Sequence, residues 1–101
     1  MFNVLEELVK TIRERKNSSE QDSYTKKLLI DDKLCREKVM EEINELVDAL
    51  TTKKKEVHEA ADVIYHLLVL LEANNIKIED VLDELKNRQG TSGLVEKANR
   101  Q

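Results

Sequence analysis

Proline is absent from this chain, glycine occurs twice, and only three residues are aromatic, two Tyr and one Phe. So few breakers and rings, with 38% charged and 40% apolar residues, describe aliphatic stripes on charged helices, an all-α profile. A single cysteine, Cys35, excludes an internal disulfide and any zinc-type cysteine spacing, and fits a reducing cytosol. The longest apolar run, Leu67 to Leu71, is far too short to span a membrane. No signal peptide is evident, because the chain opens directly into a charged amphipathic pattern. A net charge of −4 argues against a general nucleic-acid binder, while local basic clusters can still hold phosphates. No glycine-rich phosphate loop exists. The 101 residues suggest one domain, 1–101.

What the chain does have is helical periodicity. Residues 2–16 predict a helix with Phe2, Leu5, Leu8, Val9 and Ile12 as its apolar stripe and Arg13, Arg15 and Lys16 at its C-terminal end. Asn17 to Gln21 reads as a polar loop, after which Asp22 or Ser23 caps a short helix to about Ile30. Asp31-Asp32 breaks the pattern and opens a helix over 32–50, with a stripe of Val39, Ile43, Leu46, Val47 and Leu50. Thr51 or Thr52 is the expected cap of a further helix over 53–74, ended by Asn74-Asn75. A last long helix covers 78–88. Gly90-Thr91-Ser92-Gly93 reads as a hinge before a short turn from Leu94 to Arg100. Four to five helices thus form an antiparallel helix-hairpin bundle.

Four carboxylates stand out. Glu42 and Glu45 form E-x-x-E, and Glu59 and Asp62 form E-x-x-D. Residues three apart share a helix face, with Cβ atoms roughly 5–6 Å apart. If the chain reverses near Thr52, Glu45 and Glu59 lie seven residues from the turn and Glu42 and Asp62 ten. The pairs would then face each other in layers about 4.5 Å apart. Lys38 and Lys55 are local partners for Glu42 and Glu59, but Glu45 has no cation within helical reach. Asp62 sits in the most apolar helix, where an unpaired carboxylate is costly. Four converging carboxylates need a positive centre, and Mg²⁺ suits oxygen ligands. Ordinary solvated helix charges are the competing reading, since E-x-x-E pairs arise readily in so charged a chain. Glu41 is at best an outer ligand. His66, one turn beyond Asp62, either orients Asp62, touches a substrate or fills the core. Tyr65 reads as packing, its hydroxyl at a dimer edge. Lys38 can reach a phosphate or pair with Glu42.

From Val57 to Leu71, eleven of fifteen residues are apolar or Tyr and cover most of the helix circumference. Such a helix is buried all round. Short neighbours in a small chain struggle to cover it, so the bundle is expected to be completed by homodimerisation.

With these residues in view, the chain resembles the phosphoribosyl-ATP pyrophosphohydrolases, within the all-α MazG-like nucleotide pyrophosphohydrolase superfamily. The resemblance rests on RERK at 13–16, SYTKKLL at 23–29, EKVMEE at 37–42, EEINE at 41–45, EAADVIYHLLVLL at 59–71 and IEDVLDEL at 78–85. Members usually carry Gly where this chain has Met40, and the segment from Ile30 to Glu37 aligns poorly. The resemblance implies hydrolysis of phosphoribosyl-ATP to phosphoribosyl-AMP and pyrophosphate in cytoplasmic histidine biosynthesis. It implies Mg²⁺ as cofactor, Glu42, Glu45, Glu59 and Asp62 as catalytic metal ligands, and a homodimer or higher homo-oligomer. Basic residues must hold the remaining phosphates, and Lys38, Lys26 and Arg13, with His66, are the candidates. Two rivals stand beside this reading: a broader nucleoside triphosphate pyrophosphatase removing non-standard nucleotides, and a non-enzymatic helical interaction module.

Overall fold

The order of elements follows from where polar residues interrupt the apolar periodicity. In a computed structural model of the chain, residues 3–19, 21 and 23–89 are described. They form five helices: α1 (Asn3–Arg15), α2 (Tyr24–Ile30), α3 (Asp32–Thr52), α4 (Glu56–Ala73) and α5 (Ile78–Arg88). No strand occurs among the described residues. Phe2, Asp22 and the expected hinge and turn from Gly90 to Arg100 lie outside them. No described helix is long and apolar enough to cross a membrane.

The helix ends are set by local chemistry. The Ser23 hydroxyl accepts from the Lys26 N–H at 3.1 Å and caps α2. Asp31 ends α2 and caps α3, its carboxylate accepting from the Leu34 N–H at 3.1 Å. One residue therefore fixes the elbow between two helices. Charges complement the dipoles of α1 and α5, with acids in the first turn and bases in the last.

The turn between α3 and α4 differs from expectation. Neither Thr51 nor Thr52 caps α4, because both hydroxyls bond back into α3, to Val47 O at 3.0 Å and Ala49 O at 3.4 Å. Helix α3 therefore runs two residues further than the sequence suggests. The reversal is made by Lys53 and Lys55, both left-handed, with φ of 59° and 61°. Its centre is Lys54, so the counting that set the two carboxylate pairs at equal heights shifts by two residues.

Helix α2 packs across both α3 and α4, while α1 and α5 pack on α4. The core gathers Val9, Ile12, Leu28, Cys35, Leu68 and Val69. The stripe expected on α3 is split. Cys35, Val39, Glu42 and Ala49 face inward. Ile43, Val47 and Leu50 lie about 100° round the helix and are 37%, 55% and 57% exposed. On α4, Val57, Ile64 and Leu67 are likewise exposed. Met40 also points outward, so its bulk does not press on Glu42.

Candidate metal centre

Helix α3 presents Glu42 and Glu45 from one face, and α4 answers with Glu59 and Asp62. Oxygens of Glu42, Glu45 and Glu59 lie within 4.8 Å of one another, and His58, Glu59 and Asp62 form a second group within the same limit. Glu59 belongs to both groups. The four carboxylates are thus drawn together as two groups that share Glu59.

Burial is distributed differently from expectation. Glu42, at 9% exposure, is the buried member. The Asp62 side chain is 36% exposed and has a partner, His58 Nε2 at 3.4 Å. Glu45 is exposed and Glu59 half-buried. Burial pushes the Glu42 carboxyl up from its usual value; its hydrogen bond and charge contact with Glu45 push the same way, as does the charge of Asp62, against a smaller opposing pull from His66. Glu42 Oε2 and Glu59 Oε2 are both buried without a hydrogen-bond partner. Buried carboxylate oxygens are rarely left so. An all-oxygen set with two orphaned acceptors is what a hard divalent cation takes, so the residues present fit Mg²⁺.

The wall behind the cluster is built by α2. His66 is buried, its Nδ1 2.7 Å from the Asp62 carbonyl and its Nε2 3.0 Å from the Tyr24 hydroxyl. The carbonyl can only accept, so Nδ1 carries a proton; in the neutral ring Nε2 accepts from the Tyr24 hydroxyl, and in the charged ring it donates to it. His66 therefore holds the Asp62 backbone rather than its carboxylate. The Tyr65 hydroxyl bonds Thr25 Oγ1 of the same chain. Tyr24 and Thr25 thus clasp His66 and Tyr65. Sequence reasoning gave neither Tyr24 nor Thr25 a role, although the SYT and YH motifs contain all four residues.

The basic candidates separate. Lys38 pairs with Glu41 at 3.2 Å rather than with Glu42, since the pair three apart forms on the exposed side of α3. It still lies within the electrostatic reach of Glu42 and Tyr24. The Lys26 ammonium is bonded to the Lys16 carbonyl at the end of α1. Arg13 bonds Glu79 at 2.7 and 2.9 Å and Glu72 at 3.2 Å. Glu72 is ten residues from Asp62 along α4, about 15 Å by helical rise.

Fold and site together define an all-α protein whose two longest helices form a hairpin carrying a carboxylate cluster braced by a short helix. The sequence model of one such family, phosphoribosyl-ATP pyrophosphohydrolase, matches residues 5–89. The phosphoribosyl-ATP pyrophosphatase of Caulobacter sp. is 44% identical over 102 residues, spanning 99% of this chain and 95% of that protein. The Neisseria meningitidis serogroup B protein of the same name is 44% identical, spanning 97% and 94%. That of Cereibacter sphaeroides is 42% identical, spanning 98% and 99%. The chain belongs to the phosphoribosyl-ATP pyrophosphohydrolase family.

Proposed function

We propose that the chain hydrolyses phosphoribosyl-ATP between the α and β phosphates, giving phosphoribosyl-AMP and pyrophosphate in cytoplasmic histidine biosynthesis. The observation that carries the reading is the pair of buried, unpartnered oxygens of Glu42 and Glu59, in a chain of this family. Glu42, Glu45, Glu59 and Asp62 would hold Mg²⁺. When bound, the ion supplies charge neutralisation and Lewis acidity at the phosphate oxygens.

The chain's own residues do the rest. Glu42 is the buried member and burial pushes its carboxyl up, so a bound cation, which favours the ionised form, would relieve the cost of its charge. Glu45 is solvent-exposed and has no lysine or arginine within helical reach, so it is open to accept the proton of the attacking water instead of holding the ion. Lys38 stands beside the cluster and can exchange Glu41 for a phosphate oxygen. Lys26 and Arg13 are engaged elsewhere, so phosphate binding falls to Lys38. His66 and Tyr24 fix the backbone under Asp62, so this ligand does not drift as the substrate binds.

The working species is a homodimer or higher homo-oligomer. Ile43, Val47 and Leu50 on α3 and Val57, Ile64 and Leu67 on α4 are exposed in the single chain. Large apolar residues clustered on two packed helices are a surface that association would bury.

Pyrophosphate release tests the activity. It is expected from phosphoribosyl-ATP with Mg²⁺, to cease with chelator, and to be far slower from ATP, dCTP or dUTP. Equal turnover of all four nucleotides would turn the assignment toward a general nucleotide pyrophosphatase. No metal-dependent release at all would leave a helical interaction module.

A further inference from the structure

We propose that the exposed ring of Tyr24 is a stacking platform for the purine base of the nucleotide held at the carboxylate cluster. This deepens the function proposed above and rests on it for the identity of the nucleotide. Tyr24 is 49% exposed, although it begins a helix packed against both α3 and α4. Among the described residues it is the only exposed tyrosine or phenylalanine ring; Tyr65 is half-buried with its hydroxyl on Thr25.

The ring is exposed but not free. Its hydroxyl is tied to buried His66 at 3.0 Å, and His66 is tied in turn to the Asp62 carbonyl at 2.7 Å. The two rings meet edge to face at 5.9 Å and 74°. A T-shaped contact occupies at most one face of the tyrosine. The platform is therefore pre-oriented and two hydrogen bonds from the backbone of a proposed metal ligand. Pre-orientation matters because ordering a loose side chain on binding costs affinity.

The substrate makes the need clear. Carboxylates, cation and Lys38 recognise phosphates, which every nucleotide triphosphate carries. A base must be met by an aromatic face or by polar groups on its edge. Tyr24 lies in the electrostatic neighbourhood of Lys38 and Glu42, on the cluster's own side of the molecule.

The test compares Tyr24→Phe, Tyr24→Trp and Tyr24→Leu in the full chain. Base stacking of ordinary strength corresponds to roughly five- to 150-fold in affinity. Relative to Tyr24→Phe, which removes only the hydroxyl bonded to His66, Tyr24→Leu should raise KM for phosphoribosyl-ATP by that order with little further change in kcat. Phe and Trp, which keep a ring but lose the hydroxyl tether, should agree with each other in KM within about threefold and stay below Leu. Calorimetric binding of AMP should weaken further for Leu than for Phe or Trp, whereas any change in the Mg²⁺ isotherm should be common to all three, because each loses the hydroxyl bond to His66. If Phe and Leu fail alike, through kcat and weakened Mg²⁺ binding, Tyr24 is an anchor for His66 and the platform is overturned. If the Leu variant does not fold by circular dichroism, Phe and Trp decide: a KM rise in both, with Mg²⁺ binding intact, also overturns it. If wild type binds AMP through Tyr24 but leaves phosphoribosyl-ATP uncleaved, the platform stands and the proposed substrate falls.

Discussion

Replacing Glu42 by Gln should make the metal-free protein more stable, although Glu42 is a buried polar residue. Its oxygens share a 4.8 Å sphere with those of Glu45 and Glu59. Two full charges at that distance repel by about 3.5 kcal/mol at an effective dielectric of about 20. Exposure of Glu45 admits solvent and salt that screen the pair, leaving about 1–2 kcal/mol. The Gln amide also donates hydrogen bonds that the crowded carboxylates can accept. For a domain of this size that gain raises Tm by about 5–10 °C. The sign with pH follows from the raised Glu42 value. The repulsion is present at neutral pH, is relieved as pH falls through the folded-state value, and is gone below the ordinary carboxylate range. The advantage of Glu42→Gln should therefore shrink on acidification. In saturating Mg²⁺ the order reverses, because wild type gains about 2.7 kcal/mol at a hundredfold excess over Kd and the variant gains less. Thermal melts in EDTA and in Mg²⁺ read both effects. A variant that melts below wild type in EDTA would refute the crowding argument.

Glu72→Gln should cost about 1–2 kcal/mol, because the carboxylate bridges Arg13 at 3.2 Å and Lys16 at 2.8 Å and is only 13% exposed. Burial pushes Glu72 up, but bonds from Lys16 and Arg13 outweigh it; the Arg13 bond holds Glu79 at about 2. Their contribution is present above about 4.5 and lost as pH falls through the depressed folded values, so urea melts at pH 7 and pH 3 should show the wild-type advantage fade. Val47→Lys or Ile64→Lys should leave the chain folded but shift its sedimentation to the monomer; unchanged assembly would refute the dimer face. Leu28→Ala, at a side chain with no exposure, should cost about 2–5 kcal/mol in denaturant melts. A smaller loss would mean that α2 is not part of the cooperative core.

The helices and most of their ends are legible in the sequence because their signals are local: Ser23 and Asp31 cap where short polar side chains precede apolar periodicity. The α3–α4 turn is not, because threonine hydroxyls serve equally well as caps or as back-bonds to the preceding turn, and lysines seldom announce positive φ. The E-x-x-E and E-x-x-D spacing singles out the four carboxylates that the structure gathers into two groups. It does not reveal which is buried, since that depends on how α2 crosses the hairpin. Arg13 and Lys26 look like free cations in the sequence; their partners are Glu72, Glu79 and a backbone carbonyl, far away along the chain. Half the apolar stripe on α3 faces outward for a reason no single chain contains, if a second copy covers it.

The double clasp of Tyr24 on His66 and Thr25 on Tyr65 bears on how portable this chemistry is. A designer lifting residues 32–73 as a bare two-helix scaffold would carry over every acidic group and the loop that joins them. The register of α4 against α3 would then rest on the hairpin alone, with nothing holding His66, whose ring bonds the Asp62 carbonyl. Such a graft would hold a cation loosely and in several poses. The minimal transplantable unit begins at Ser23, so the seven-residue α2 sets the smallest size at which this site can be moved to another protein.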